Sequence, residues 1–229
     1  MEKNKTGKYL KYAVGEIILV VIGILIALQI NNWNKERKDS TFERKVVIEL
    51  SVDVKEDIEE MKNAIDNLKE SQKSSYLIIQ NLENKTGYHD SLNKYFANAL
   101  RLWSLSPNKI AFEMAKEEGM YLITNDSIRF YTSKVNGYTY DYIQVLENRY
   151  QDYKSNIVLP HIQPLFGSYN FISMKPNNYE ELSQDKVYVS IIKSIISMRA
   201  RYINILDIRY EQLTKLNSII NKEIEQEKK

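Results

Sequence analysis

Between Tyr12 and Ile30 the chain reads YAVGEIILVVIGILIALQI, about 19 residues with a single charge, Glu16, which is enough to cross the hydrocarbon layer of a membrane. At ~1.5 Å per residue a helix of this length rises roughly 28 Å, and lipid admits one apolar segment only as a helix that satisfies its own backbone. The stretch predicts a transmembrane anchor over 12–33, behind a short basic tail over 1–11. Lys3, Lys5, Lys8 and Lys11 would also suit the positive region of a cleavable signal, but Gln29, Ile30, Asn31, Asn32 and Trp33 offer no small-x-small cleavage pattern. An uncleaved signal-anchor is the expectation. Tyr9 and Tyr12 at one end and Trp33 at the other match the aromatic belts of the two interfaces.

Positive charges flank the span on both sides, with Lys35, Arg37, Lys38, Arg44 and Lys45 following it. A first helix behind a short basic tail behaves as a signal-anchor, and a long downstream domain crosses largely regardless of its charge, so the N-terminus is expected inside the cytoplasmic (inner) membrane and the rest in the periplasm. The absence of cysteine fits an oxidising compartment without requiring one. A net charge of +2 from 32 basic and 30 acidic residues makes no field suited to nucleic acid.

Only 7 Gly and 4 Pro among 229 residues disfavour a sheet of short strands. The expectation is all-α: an anchor continuing through a charged joint, 34–45, into an elongated helical bundle, 46–226. A first helix is expected to reach about Leu82, and its later part repeats every 3.5 residues. Ile58, Met61, Ile65, Leu68, Gln72, Ser75, Ile79 and Leu82 form a coiled-coil-like seam, six of the eight apolar. Asn84 to Gly87 should end this helix, and a short returning helix is expected over Tyr95 to Trp103.

Ser106-Pro107 resembles a cap followed by a first-turn proline, and Gly119 a stop. Asn125 to Ser127 should open a tyrosine-rich helix toward Leu159, ended by Pro160 and Pro164. After a loop from Gly167 to Asn178, a last helix is expected from Asp185 to Glu225. Ile191, Ile195, Met198, Tyr202 and Ile205 line one face of it.

The segment KYLKYAVGEIILVVIGILIALQINNWNKERK resembles the N-terminal signature of a family of uncharacterised single-pass membrane proteins from Bacteroidota-type bacteria. AFEMAKEEGMYLITNDSIRFYTS is similar to an internal segment of that family. The resemblance implies location and architecture, and no activity or site.

Residues with chemistry are few. His89 and His161 lie far apart with no ligand-spaced partner, and Glu113, Glu117 and Glu118 lack the Glu-x-x-His that di-iron bundles use, so no metal, cofactor or catalytic set is expected and the chain reads as no enzyme. Glu56, Asp57, Glu59 and Glu60 read as the solvated side of the first bundle helix. The 17 tyrosines, dense from Tyr131 to Tyr153, suit bundle core and rim or a ligand groove.

Glu16 is the exception. At 100° per residue Glu16, Val20, Gly23, Ala27 and Asn34 fall within about 40° of one line. Gly23 and Ala27 make a small-xxx-small pair that lets a second helix approach, which marks this line as a transmembrane interface. Snorkelling of Glu16 to the headgroups and a proton pathway are the competing readings. The partners expected are the lipid bilayer and a second copy or another membrane or envelope protein. The functional expectation is an envelope-facing scaffold or accessory subunit, with a partner-dependent periplasmic sensory module as the alternative.

Overall fold

The computed structural model describes residues 3–167, 170 and 172–226, with side chains from residue 9 onward. The tail residues Met1 and Glu2, the side chains of Lys3, Lys5 and Lys8, and part of the expected loop after Gly167 lie outside the described set. Among the described residues the fold is all-α, and its single strand-like feature is an isolated bridge between Phe166 and Pro176.

Helix α1 spans Lys3–Asn84. No Gly or Pro stands between Gly23 and Gly87, so nothing in that interval interrupts the i to i−4 ladder. Contacts divide the chain into two units, 1–46 and 47–229.

In the first unit the helix is long and apolar enough to cross a membrane, and none of its apolar window is buried within the chain. Arg37 lies over the Trp33 ring at 5.9 Å, and Thr41 Oγ1 donates to the Arg37 carbonyl at 2.8 Å.

The second unit holds the end of α1 together with α2 (Leu92–Ala99), α3 (Ile110–Glu118), α4 (Asp126–Ser133), α5 (Tyr140–Tyr153), α6 (Leu159–Ile162), α7 (Tyr179–Gln184) and α8 (Lys186–Gln226). Helix α1 stops in a turn where Thr86 N–H bonds the Asn81 carbonyl and Lys85 N–H bonds that of Leu82, the paired closure of a Schellman ending. Lys85 takes the left-handed position with φ 52°. Its strain is offset by Asn81, whose side-chain amide donates to Thr86 Oγ1 and to the Gly87 carbonyl.

Three expected boundaries move. The returning helix is Leu92–Ala99, not Tyr95 to Trp103. Ser106 and Pro107 do not open a helix, because α3 starts at Ile110. The tyrosine-rich region is α4, α5 and α6 joined by π turns at Lys134–Thr139 and Lys154–Val158, and Pro160 sits inside α6 rather than ending it. Gly119 does close α3, at φ 120°, and a Cβ there would clash with the Tyr121 ring. Asn125 caps α4 by accepting from Ser127 N at 3.0 Å and Ile128 N at 3.2 Å.

The main core gathers Ile78, Ile79 and Leu82 of α1, Leu92 and Phe96 of α2, and Tyr188, Ile191, Ile192 and Ile195 of α8. Phe96, Phe166 and Tyr188 meet edge-on or tilted with centroids 5.3 to 6.5 Å apart. Each fully buried side chain of this size contributes about 1.5–3 kcal/mol.

Candidate functional site

The seam residues of α1 fall where the 3.5 period puts them. Met61, Ile65, Leu68, Ile79 and Leu82 are buried, with Ile58 half-buried. On α8 Ile195 and Tyr202 are buried, but Met198 and Ile205 are only half-covered, and Leu206 takes the sealed position expected of Ile205.

The two polar seam positions do specific work. Gln72 Nε2 donates to the Ile196 carbonyl at 3.0 Å, and Ser75 Oγ accepts from Arg199 Nη1 at 2.9 Å. Arg199 is 2% exposed. Its Nη2 donates to the Ala99 carbonyl at 2.6 Å and the Arg101 carbonyl at 3.3 Å, so the cation sits at the C-terminal, negative end of α2. The ion pairs among the described residues do not include it. Burial pulls the guanidinium below its ordinary value, opposed by Tyr150, and burial raises the Tyr150 hydroxyl, opposed by Arg199.

Beside this guanidinium lies a cavity of about 230 Å³. Leu68, Leu102, Leu146 and Met198 supply apolar wall, and the Tyr150 and Tyr202 side chains complete it. Glu147, 7% exposed, also faces it. Its Oε1 accepts from Leu105 N at 3.0 Å and from the Tyr202 hydroxyl, and burial, then Glu147, drives that hydroxyl far up. Arg149 and Arg201, both exposed, complete the lining. Little more than one turn each of α5 and α8 thus brings three arginines and one glutamate to an apolar hollow.

The acidic run is not a plain solvated face, and this corrects the sequence expectation. Asp53 and Asp57 are buried and accept main-chain N–H groups of Ala111 at 3.0 Å and Asn108 at 2.9 Å, while Glu60 accepts that of Ser106 at 2.9 Å. The Tyr140 hydroxyl donates to Asp57. Burial raises the Asp53 and Asp57 carboxyls and, with Asp57 beside it, the Tyr140 hydroxyl. These carboxylates anchor the irregular segment before α3, and their interior lone pairs are occupied.

In the first unit Glu16, Val20 and the belt residues Tyr9, Tyr12 and Trp33 are exposed, as are Ala27 and Asn34. A Cβ built on Gly23 would meet nothing within 4 Å. His161 Nε2 pairs with Asp185 Oδ2 at 2.8 Å, and His89 Nδ1 lies 2.5 Å from Ser91 Oγ. Glu113 pairs with Lys116 at 3.5 Å. Among the described residues no group of three or more His, Asp or Glu is placed to hold a metal ion. The tyrosines divide, with Tyr140 and Tyr150 buried while Tyr138 and Tyr142 stack at 6.3 Å on the outside.

Comparison of the chain with protein-family models, with curated proteins and with solved structures finds no match.

Sequence reasoning missed Arg199, Glu147, Arg149 and Arg201. A signal for Arg199 was present, since it stands four residues after Ile195 and three before Tyr202, on the apolar stripe of its own helix. A charge at a core-spaced position calls for a partner.

Proposed function

We propose that this protein is a membrane-anchored helical scaffold or accessory subunit whose bundle faces the periplasm and which acts through non-covalent contacts with a second copy or another envelope protein. The observation that carries the reading is the apolar span, long enough to cross a bilayer and covered by no part of its own chain. The similarity to single-pass proteins of Bacteroidota-type bacteria, the basic tail and the lack of cysteine support the same placement. The open Gly23 and Ala27 line supports close approach of another helix.

Crosslinking in native membranes tests this. Gly23→Ile with Ala27→Ile should reduce crosslinked species, while Leu25→Ile, on the opposite side of the helix, should not. The added side-chain atoms at Gly23 start from a position that touches nothing in this chain, so a loss would come from a neighbouring molecule. Equal crosslinking by both variants would reject the interface. Alkaline phosphatase fused after Lys229 should be active, and an inactive fusion would reverse the orientation.

The cavity favours a second reading, a sensory or regulatory module that signals through a partner helix. A hollow with apolar walls and convergent charges is the usual form of a small-molecule site.

A further inference from the structure

The charges around the bundle cavity do not balance. Arg149, Arg199 and Arg201 line it with a single carboxylate residue, Glu147. Arg199 is the most telling, because burying a guanidinium among neutral acceptors is costly and the helix end beneath it supplies only a fraction of a counter-charge. Glu147 does not discharge it, since no ion pair joins the two among the described residues and both hydrogen bonds to Glu147 go to one oxygen, Oε1. Arg149 and Arg201 stand exposed at the lining, where Arg201 Nη2 donates to the Tyr142 hydroxyl at 3.2 Å. The remaining wall is leucine, methionine and tyrosine ring, which gives nothing to a strongly hydrated ion and much to an apolar body.

From this juxtaposition we infer that the cavity is a binding site for a small organic carboxylate with an apolar or aromatic body, whose anionic head is received by the arginines and whose body packs on Leu146 and Met198. The size agrees with the chemistry. A hollow of about 230 Å³ has room for a short-chain or single-ring acid. Guanidinium groups suit a carboxylate because their paired donors match its two oxygens. The walls come from α1, the segment after α2, α5 and α8, so an occupant would touch all four. The inference goes beyond the scaffold reading, and either can fail alone.

The test uses the full chain in detergent, with calorimetric titration at neutral pH by acetate, hexanoate, phenylacetate and 4-methylbenzoate, and with phenylacetamide as the uncharged match of phenylacetate. Saturable binding by hexanoate or an aromatic acid, with acetate and phenylacetamide much weaker, is the expected result. Arg149→Gln and Arg201→Gln should each weaken it about tenfold, the factor that ~1.4 kcal/mol represents. Leu146→Trp, at a half-buried wall position, should abolish it while circular dichroism shows an unchanged melt. Should that variant not fold, Met198→Phe fills the same space and takes its place.

Equal binding of phenylacetate and phenylacetamide would overturn the anion assignment. Absence of saturable binding by every acid in folded protein would overturn the site. Neither result touches the crosslinking of the anchor, which decides the scaffold reading separately.

Discussion

From Val14 to Ile30 the large Val, Ile and Leu side chains of α1 are 46 to 71% exposed, whereas Leu68, farther along that helix, and Leu206 and Ile220 of α8 are sealed from solvent. Secondary structure is common to both regions and the surroundings are opposite. The anchor is apolar on every side, so its helix has no preferred inward face and Glu16 is its one charge. The bundle has a stripe, and the stripe is broken by Gln72, Ser75 and Arg199, whose hydrogen bonds run between helices. An all-round apolar surface specifies a solvent. A stripe interrupted by polar groups that bond across helices specifies a register, because each of those bonds forms in one arrangement only.

The comparison breaks most visibly at Leu68. Leu68→Asp puts an unpaired charge into the core at a cost of several kcal/mol, enough to abolish the cooperative helical melt of a domain of ordinary stability. Leu19→Asp should leave that melt intact and instead deplete the membrane fraction, since a central acid costs about 2.5–3.5 kcal/mol on insertion. A bundle that melts alike in both variants would mean Leu68 is not core.

Arg199→Met sharpens the role of interrupted stripes. It leaves two buried carbonyls without their donor and should cost about 2 kcal/mol in thermal or denaturant unfolding. Arg199→Lys should not restore the loss, because an ammonium cannot reach Ser75 Oγ and the Ala99 carbonyl as a fork does.

Acid and neutral conditions separate two carboxyls, the buried Asp57 and the half-covered Asp185. Burial, ahead of the opposing hydrogen bonds from Tyr140 and Asn108, holds Asp57 above its ordinary 3.8. Its contribution is complete below 3.8 and is lost as pH rises through the raised value. Burial alone would raise Asp185 too, but the bonds from Tyr188 N, His161 and Val187 N outweigh it and hold the carboxyl below 3.8, so its contribution is present above 3.8 and fades as pH falls through the lowered value. Melts followed from acid to neutral pH should show Asp57→Asn gaining on the natural protein and Asp185→Asn losing to it. Parallel curves for the two variants would contradict both assignments.

The smallest effects lie on the outer side of α1. Glu60→Ala removes the acceptor of Ser106 N–H and should cost about 1 kcal/mol, while Glu59→Ala, exposed and without such a bond, should stay within about 0.5 kcal/mol.

Local patterns carried the sequence reading a long way and then stopped at contacts between distant residues. The α1 seam, the Asn125 cap and the Gly119 stop depend on neighbours within a few positions, and all three were legible. Ser106-Pro107 misled because the Asn108 N–H, which Ser106 would have capped, is taken by Asp57, more than fifty residues earlier in the chain. The π turns left no mark in the apolar spacing of the tyrosine-rich region. The cavity was illegible for the same reason as the α3 anchor: Glu147 and Arg199 belong to different helices, and only packing brings them to one hollow.

The carboxylates of α1 hold the segment from Ser106 to Ala111 by its main chain. Contacts of this kind are blind to side-chain identity, so the segment is free to drift in sequence as long as Asp53, Asp57 and Glu60 persist. Proline is the exception, because it removes the N–H that is grasped. At Pro107 no carboxylate reaches for one, whereas proline at Ser106, Asn108 or Ala111 would release the strap from its moorings. Among related chains, selection should therefore be recorded on the helix that does the holding, with the held segment showing little beyond a ban on misplaced prolines.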